Sequence, residues 1–176
     1  VKEEGRNNFQ FYSKTMNALA AERLEMENDL RKALERHEFI VYYQPQVEIR
    51  TNRIVGAEAL VRWRHPHRGM LLPAEFFSVA IETGMIQKLD QEVLFVACRQ
   101  NKAWQDAGRT PIRVSVNVSN SFFHGTSLTS AITRALQETQ LDPECLELEL
   151  TESITMRHVE TSITMLQELR AMGVRL

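Results

Sequence analysis

The chain has 176 residues, 43% of them hydrophobic and 25% charged, the balance of a globular domain with a sizeable core. Its net charge of −2, from 21 basic and 23 acidic side chains, does not call for a generic nucleic-acid-binding surface and leaves room only for a local basic patch. No apolar run approaches the roughly 20 residues that span a bilayer, the opening VKEEGRNNFQ is polar and is no signal peptide, and Cys98 and Cys145, far apart and without ligand spacing, fit a reduced cytosolic protein better than a disulfide scaffold.

Residues 14–37 are rich in Ala, Leu, Glu, Lys and Arg and lack Gly and Pro, which predicts a helix. Met16, Leu19, Met26, Leu30 and Ala33 approximate one apolar stripe, broken by Arg23, and Glu27 and Arg31 form an i,i+4 pair. A stripe so short and imperfect favours a connector between domains over a dimerising helix. Strands and helices then alternate. FIVYYQPQVEI (39–49) and RIVGAEALVRWR (53–64) read as strands. AEFFSVAIETG (74–84) reads as a short helix closed by Gly84. Residues 87–108 read as a long one with Leu89, Val93, Val96, Ala97 and Trp104 inward and Gly108 as its stop. IRVSVNVSN (112–120) is a strand, 126–140 a helix capped by Thr126 or Ser127, CLELELTES (145–153) a strand and 157–172 a helix. That alternation predicts an α/β fold with a parallel sheet. Gly173 ends the last helix, and an apolar segment begins after it.

Side chains on a strand alternate faces. Val114, Val116 and Val118 share one face, with Ser115, Asn117 and Ser119 on the other; Leu146, Leu148 and Leu150 oppose Glu147, Glu149 and Thr151; Glu58 opposes Ala57, Ala59 and Val61. In an antiparallel sheet with one wet side the polar face is simply solvated. In a barrel the apolar face meets the outer helices, and Glu58, Asn117 and Glu149 converge inside. An ionised carboxylate there is costly unless paired or metal-bound. Oxygen ligands without His or Cys suit a hard cation such as Mg²⁺ or Mn²⁺. Spacing alone leaves the metal site and the solvated face equally open. His65-Pro66-His67 reads as a loop leaving the strand; Arg62 either binds a phosphate or pairs with a barrel carboxylate; Gln44 is a ligand-binding amide or an ordinary strand-end residue; Cys98, Trp63 and Trp104 are expected in the core.

The run GAEALVRW resembles the signature of EAL domains, phosphodiesterases of the bacterial second messenger cyclic di-GMP. The resemblance continues in order through YYQP (42–45), EALVRW (58–63), His65-Pro66, Pro73 and Phe76, SVNVS (115–119) and ELTES (149–153), and covers residues 38–176. KEEGRNNFQFY (2–12) resembles the end of a GGDEF domain, which would make 1–13 its tail and 14–37 the connector. The resemblance implies a TIM-like (β/α)8 barrel, present as its N-terminal portion. It implies Glu58, Asn117 and Glu149 as ligands of Mg²⁺ or Mn²⁺, Gln44, Leu60 and Arg62 as substrate contacts, and Glu152 as the residue holding a loop beside the site. Cyclic di-GMP, a second copy of the chain and a GGDEF domain in cis are the implied partners, with no nucleic-acid polymer, in the cytoplasm; any membrane tether belongs to segments outside this sequence. A full barrel takes about 250 residues, and the family's downstream Asp-Asp pair and Lys are absent. The activity is therefore expected of a longer parent and not of residues 1–176 alone. A catalytically silent cyclic di-GMP receptor is the second reading. A glycosidase using Glu58 and Glu149 as its carboxylate pair is the third, opposed by Asn117 and by the lack of an aromatic sugar platform.

Overall fold

The computed structural model describes residues 14–123, 128–150 and 159–176. The expected end of a GGDEF domain (1–13), the cap residues Thr126 and Ser127, and Glu152 lie outside them, as does the side chain of Met16. The elements run α1 (Lys14–Arg36), β1 (Phe39–Glu48), β2 (Arg53–His65), β3 (Gly69–Leu71), α2 (Pro73–Glu82), α3 (Ile86–Asp106), β4 (Arg113–Asn117), α4 (Asn120–Phe123), α5 (Leu128–Thr139), β5 (Leu146–Glu149) and α6 (Val159–Ala171). The strands form one sheet in the order β1-β2-β4-β5, with β3 paired to β2. This is a mixed α/β layer of the TIM-like type, and the short β3 and α4 were not legible in the sequence.

The expectation of a parallel sheet holds for β2, β4 and β5 and fails for β1 and β3. The pairs β2–β4 and β4–β5 are parallel, while β1–β2 and β2–β3 are antiparallel. The reason is connection length. A parallel pair needs a crossover of a dozen residues or more, and only Ile49–Asn52 separate β1 from β2. Asn52 takes a left-handed conformation (φ 54°) and its N–H donates to Glu48 O at 2.8 Å, closing the hairpin. After α6, Gly173 (φ 88°) turns the chain, and Arg175 bridges Glu147 in parallel, so the segment after Gly173 does begin a strand beside β5.

The alternation read from sequence sets the core. Ala57, Ala59, Val61, Val114, Val116, Leu146 and Leu148 are all buried on the helix-facing side. α3 lies over them through Ile86, Leu89, Val93, Leu94, Ala97 and Cys98. Buried Asn101 in α3 donates from Nδ2 to Ile112 O (2.9 Å) and Cys145 O (3.3 Å), tying the starts of β4 and β5 to the helix. Trp63 is fully buried against Phe39 and Phe76. Trp104 is only partly buried and meets Tyr43 edge-on, with ring centres 4.9 Å apart. The expected core position is thus a helix-end flank, where α3 runs out past the sheet. In α1, Met26, Leu30 and Ala33 are buried and Leu19 is 65% exposed; the apolar stripe meets the domain only over its C-terminal part. Among the described residues no helix is long and apolar enough to cross a membrane.

Candidate active site at the carboxyl ends of the parallel strands

β2 pairs with β4 only from Gly56 to Ala59. Beyond that β4 stops, and β2 runs on into its hairpin with β3. Glu58, although mid-strand in β2, therefore stands close to where the parallel ladder ends. Asn117 is the last residue of β4 and is opposite Glu149, the last of β5. Asn117 Nδ2 donates to Glu58 Oε1 at 2.8 Å. Gln44 is the register partner of Glu58 on β1. Leu60 and Arg62 follow Glu58 on the same face, so the sheet brings the six described residues singled out in the sequence to one face; Glu152 lies outside the described residues.

One level of that face runs Gln44, Glu58, Ser115, Glu147 across four strands. Beneath it Gln46 Nε2 donates to Ser115 Oγ at 3.2 Å. The Gln46 carboxamide lies across Gly56, where a Cβ would come within 2.5 Å of its Oε1. Three carboxylates share the face, and they differ. Glu147 has Arg113 Nη1 at 3.6 Å, whereas neither Glu58 nor Glu149 has a cationic partner among the described residues. Unpaired acids on a converging face attract a cation. Glu58 and Glu149 supply carboxylate oxygens, and Asn117 Oδ1 has no hydrogen-bond partner among the described residues while Nδ2 is engaged. Among the described residues no three His, Cys, Asp or Glu side chains converge, so this donor set is two acids and an amide. Such hard oxygens fit Mg²⁺ or Mn²⁺, which retain water in their remaining positions.

Beside these residues lies a pocket of about 400 Å³, walled by Leu60, Pro73, Phe77 and Val93 and reached by Asn117 and Asp90. Asp90, 7% exposed, accepts from Ser119 N–H at 3.2 Å. Burial pushes its carboxyl up to about 6 against that hydrogen bond. Asn120 Oδ1 in the same wall is buried without a partner among the described residues. Sequence reasoning missed Asp90. The signal was present, since Asp90 interrupts the apolar stripe Ile86, Leu89, Val93, Ala97 of α3. A larger groove of about 930 Å³ runs between Tyr43, Trp104, Ile54 and Val55. It lies at the opposite, amino-terminal ends of the parallel strands and on the helix-facing side, away from the acids.

A sheet whose parallel strands end in oxygen donors beside an apolar slot defines an α/β barrel-type site, and in such folds the ligand end is the carboxyl end. The profile of the EAL domain matches residues 27–176, and the chain belongs to the EAL-domain family. It is 40% identical over 174 residues to the bifunctional diguanylate cyclase/cyclic di-GMP phosphodiesterase MucR of Pseudomonas aeruginosa, covering 99% of this chain and 25% of that protein. It is 40% identical over 172 residues to the cyclic di-GMP phosphodiesterase NbdA of the same organism, covering 98% and 22%. Among solved structures, the MucR phosphodiesterase in complex with c-di-GMP superposes with a TM-score of 0.82 at 39% identity, over 85% of this chain and 61% of that one. The chain thus spans about a quarter of the length of these curated relatives.

Proposed function

We propose that the chain forms part of a metal-dependent phosphodiesterase that opens cyclic di-GMP to the linear dinucleotide, with Glu58, Asn117 and Glu149 holding Mg²⁺ or Mn²⁺. One observation carries the reading: Glu58 and Glu149 share the inner face without a cationic partner among the described residues, Asn117 donating to Glu58 and standing opposite Glu149 in register, while neighbouring Glu147 has its arginine. The cyclic di-GMP phosphodiesterase activity for which MucR and NbdA are named supports it. A divalent ion held there supplies Lewis acidity to the phosphate and to the attacking water. The chain's own residues do the rest. Arg62 offers its fork to a phosphate, Gln44 its amide, and the Leu60–Phe77 slot accepts one base, with Asp90, Asn117, Ser119 and Asn120 as the polar groups in its wall. Glu152 is assigned by family resemblance to the loop beside the site. In the reaction one phosphorus–oxygen ester bond breaks, the oxygen of water takes its place, and the departing ribose oxygen acquires a proton. The same reading places a GGDEF domain in cis ahead of α1, supported by the bifunctional name of MucR.

The test is to incubate the full-length protein with cyclic di-GMP and Mn²⁺ and to identify the product chromatographically. The linear dinucleotide should appear, and chelation should stop it. Intact substrate after saturating metal, or turnover that survives chelation, contradicts the proposal.

A further inference from the structure

Arg62 forms a pair on the site face with Tyr42, a residue that the assignments above leave unused. On β1 the inward positions are Ile40, Tyr42, Gln44 and Gln46. Tyr42 is the register partner of Leu60, and its aromatic ring is left 52% exposed on that face. The guanidinium carbon of Arg62 stands 5.9 Å from the centre of that ring. Its Nη1 donates to Val61 O at 2.7 Å. No carboxylate lies within ion-pair distance of Arg62 among the described residues. The cation is therefore held by a π-face and one carbonyl, neither of which neutralises it. A guanidinium carries five donors in a planar fork. With the ring on its face and one donor on Val61, the other edge is left for an anion.

We propose that Tyr42 is a positioning residue that holds the Arg62 guanidinium on the site face, with its free edge presented to a phosphate of the substrate. The proposal rests on the reading of Arg62 as the phosphate contact. Without the ring, the arginine is free to swing into solvent, and the ordering is done at the moment of binding.

The measurement is the dissociation constant of cyclic di-GMP for the full-length protein by calorimetry, with Ca²⁺ replacing the catalytic ion. Tyr42→Val, a β-branched residue that suits an edge strand, should raise the constant about three- to fivefold, the range of an exposed cation–π contact. Tyr42→Phe, which keeps the ring, should stay within about twofold of wild type. Arg62→Ala should raise the constant further, and adding Tyr42→Val to it should change nothing more. A Tyr42→Leu variant replaces the valine if the latter lowers the melting temperature. Wild-type binding by Tyr42→Val while Arg62→Ala weakens it overturns the positioning role alone. So does a Tyr42→Val effect that persists in full without Arg62. Wild-type binding by Arg62→Ala overturns the phosphate reading, and the proposal with it.

Discussion

At the scale of single residues, environment divides chemically similar side chains. Glu58, Glu147 and Glu149 share a face, yet among the described residues only Glu147 meets a cation. The period-two pattern made that face legible, because Val114, Val116, Leu146 and Leu148 could face only the helices. What it could not supply is partnership, which depends on neighbours distant in sequence. Asp90 is the clearest case. It reaches the site pocket from α3, a helix whose stripe was read as plain core, and burial raises its carboxyl to about 6. The ordinary value lies near 4, so between those pH values the folded state binds this proton more tightly than the unfolded state does. Asp90 therefore lowers stability as pH rises from about 4 to about 6 and keeps that deficit above, on the order of 2–3 kcal/mol. Asp90→Asn, which retains an acceptor for the Ser119 N–H, should melt above wild type at pH 7.5 and lose most of that advantage near pH 4. Denaturant titrations of both proteins at the two pH values measure this; equal stability at pH 7.5 contradicts it.

Among the elements, the pairing of β1 departed furthest from the sequence reading, whereas α1 falls where the helix over 14–37 was expected. The four residues Ile49–Asn52 were enough to require a hairpin, but alternation with helices elsewhere in the chain outweighed them. For α1, the interruption of the stripe by Arg23 marked where contact with the domain is polar. Arg23 pairs with Glu82 of α2, and Arg68 Nη2 lies 3.0 Å from Glu25. The strongest tie is His65, the last residue of β2, 4% exposed. Its Nδ1 accepts from the N–H groups of His67 and Arg68, both at 3.1 Å, so the proton sits on Nε2, 3.3 Å from Asp29 Oδ2 in α1. The His-Pro-His stretch is thus a loop leaving the strand, as its sequence reads, and its first histidine also fastens that loop to α1. His65→Ala leaves two backbone donors without their acceptor and takes one partner from Asp29, which keeps Lys32 at 3.4 Å, and should cost about 2–3 kcal/mol. Hydrogen exchange should show faster opening of the α1 amides around Asp29. A variant as stable and as protected as wild type contradicts the tie.

For the molecule as a whole, three parallel strands, with two more antiparallel to β2, set an inner face that Glu58, Asn117 and Glu149 share, and the EAL family match begins at residue 27, inside α1. β1 has one strand neighbour among the described residues, and Pro45 on it carries no N–H for a further ladder. The fold class and the acids' common face were legible because both follow from strand periodicity. The pocket beside Leu60 and Phe77 and the Tyr42–Arg62 contact were not, because each joins side chains through three-dimensional proximity alone. The central claim is that Glu58 interrupts an apolar strand in order to hold a divalent ion for phosphodiester hydrolysis. Glu58→Gln keeps the size of the side chain and an acceptor for Asn117 while removing its charge, so it tests that claim most directly. In the full-length protein, Mn²⁺ binding by electron paramagnetic resonance and turnover of cyclic di-GMP are measured together. The account predicts a far weaker Mn²⁺ signal and turnover lower by about 100-fold or more, the scale of losing a charge-stabilising group, with an unchanged melting temperature. Wild-type turnover at every Mn²⁺ concentration would contradict it.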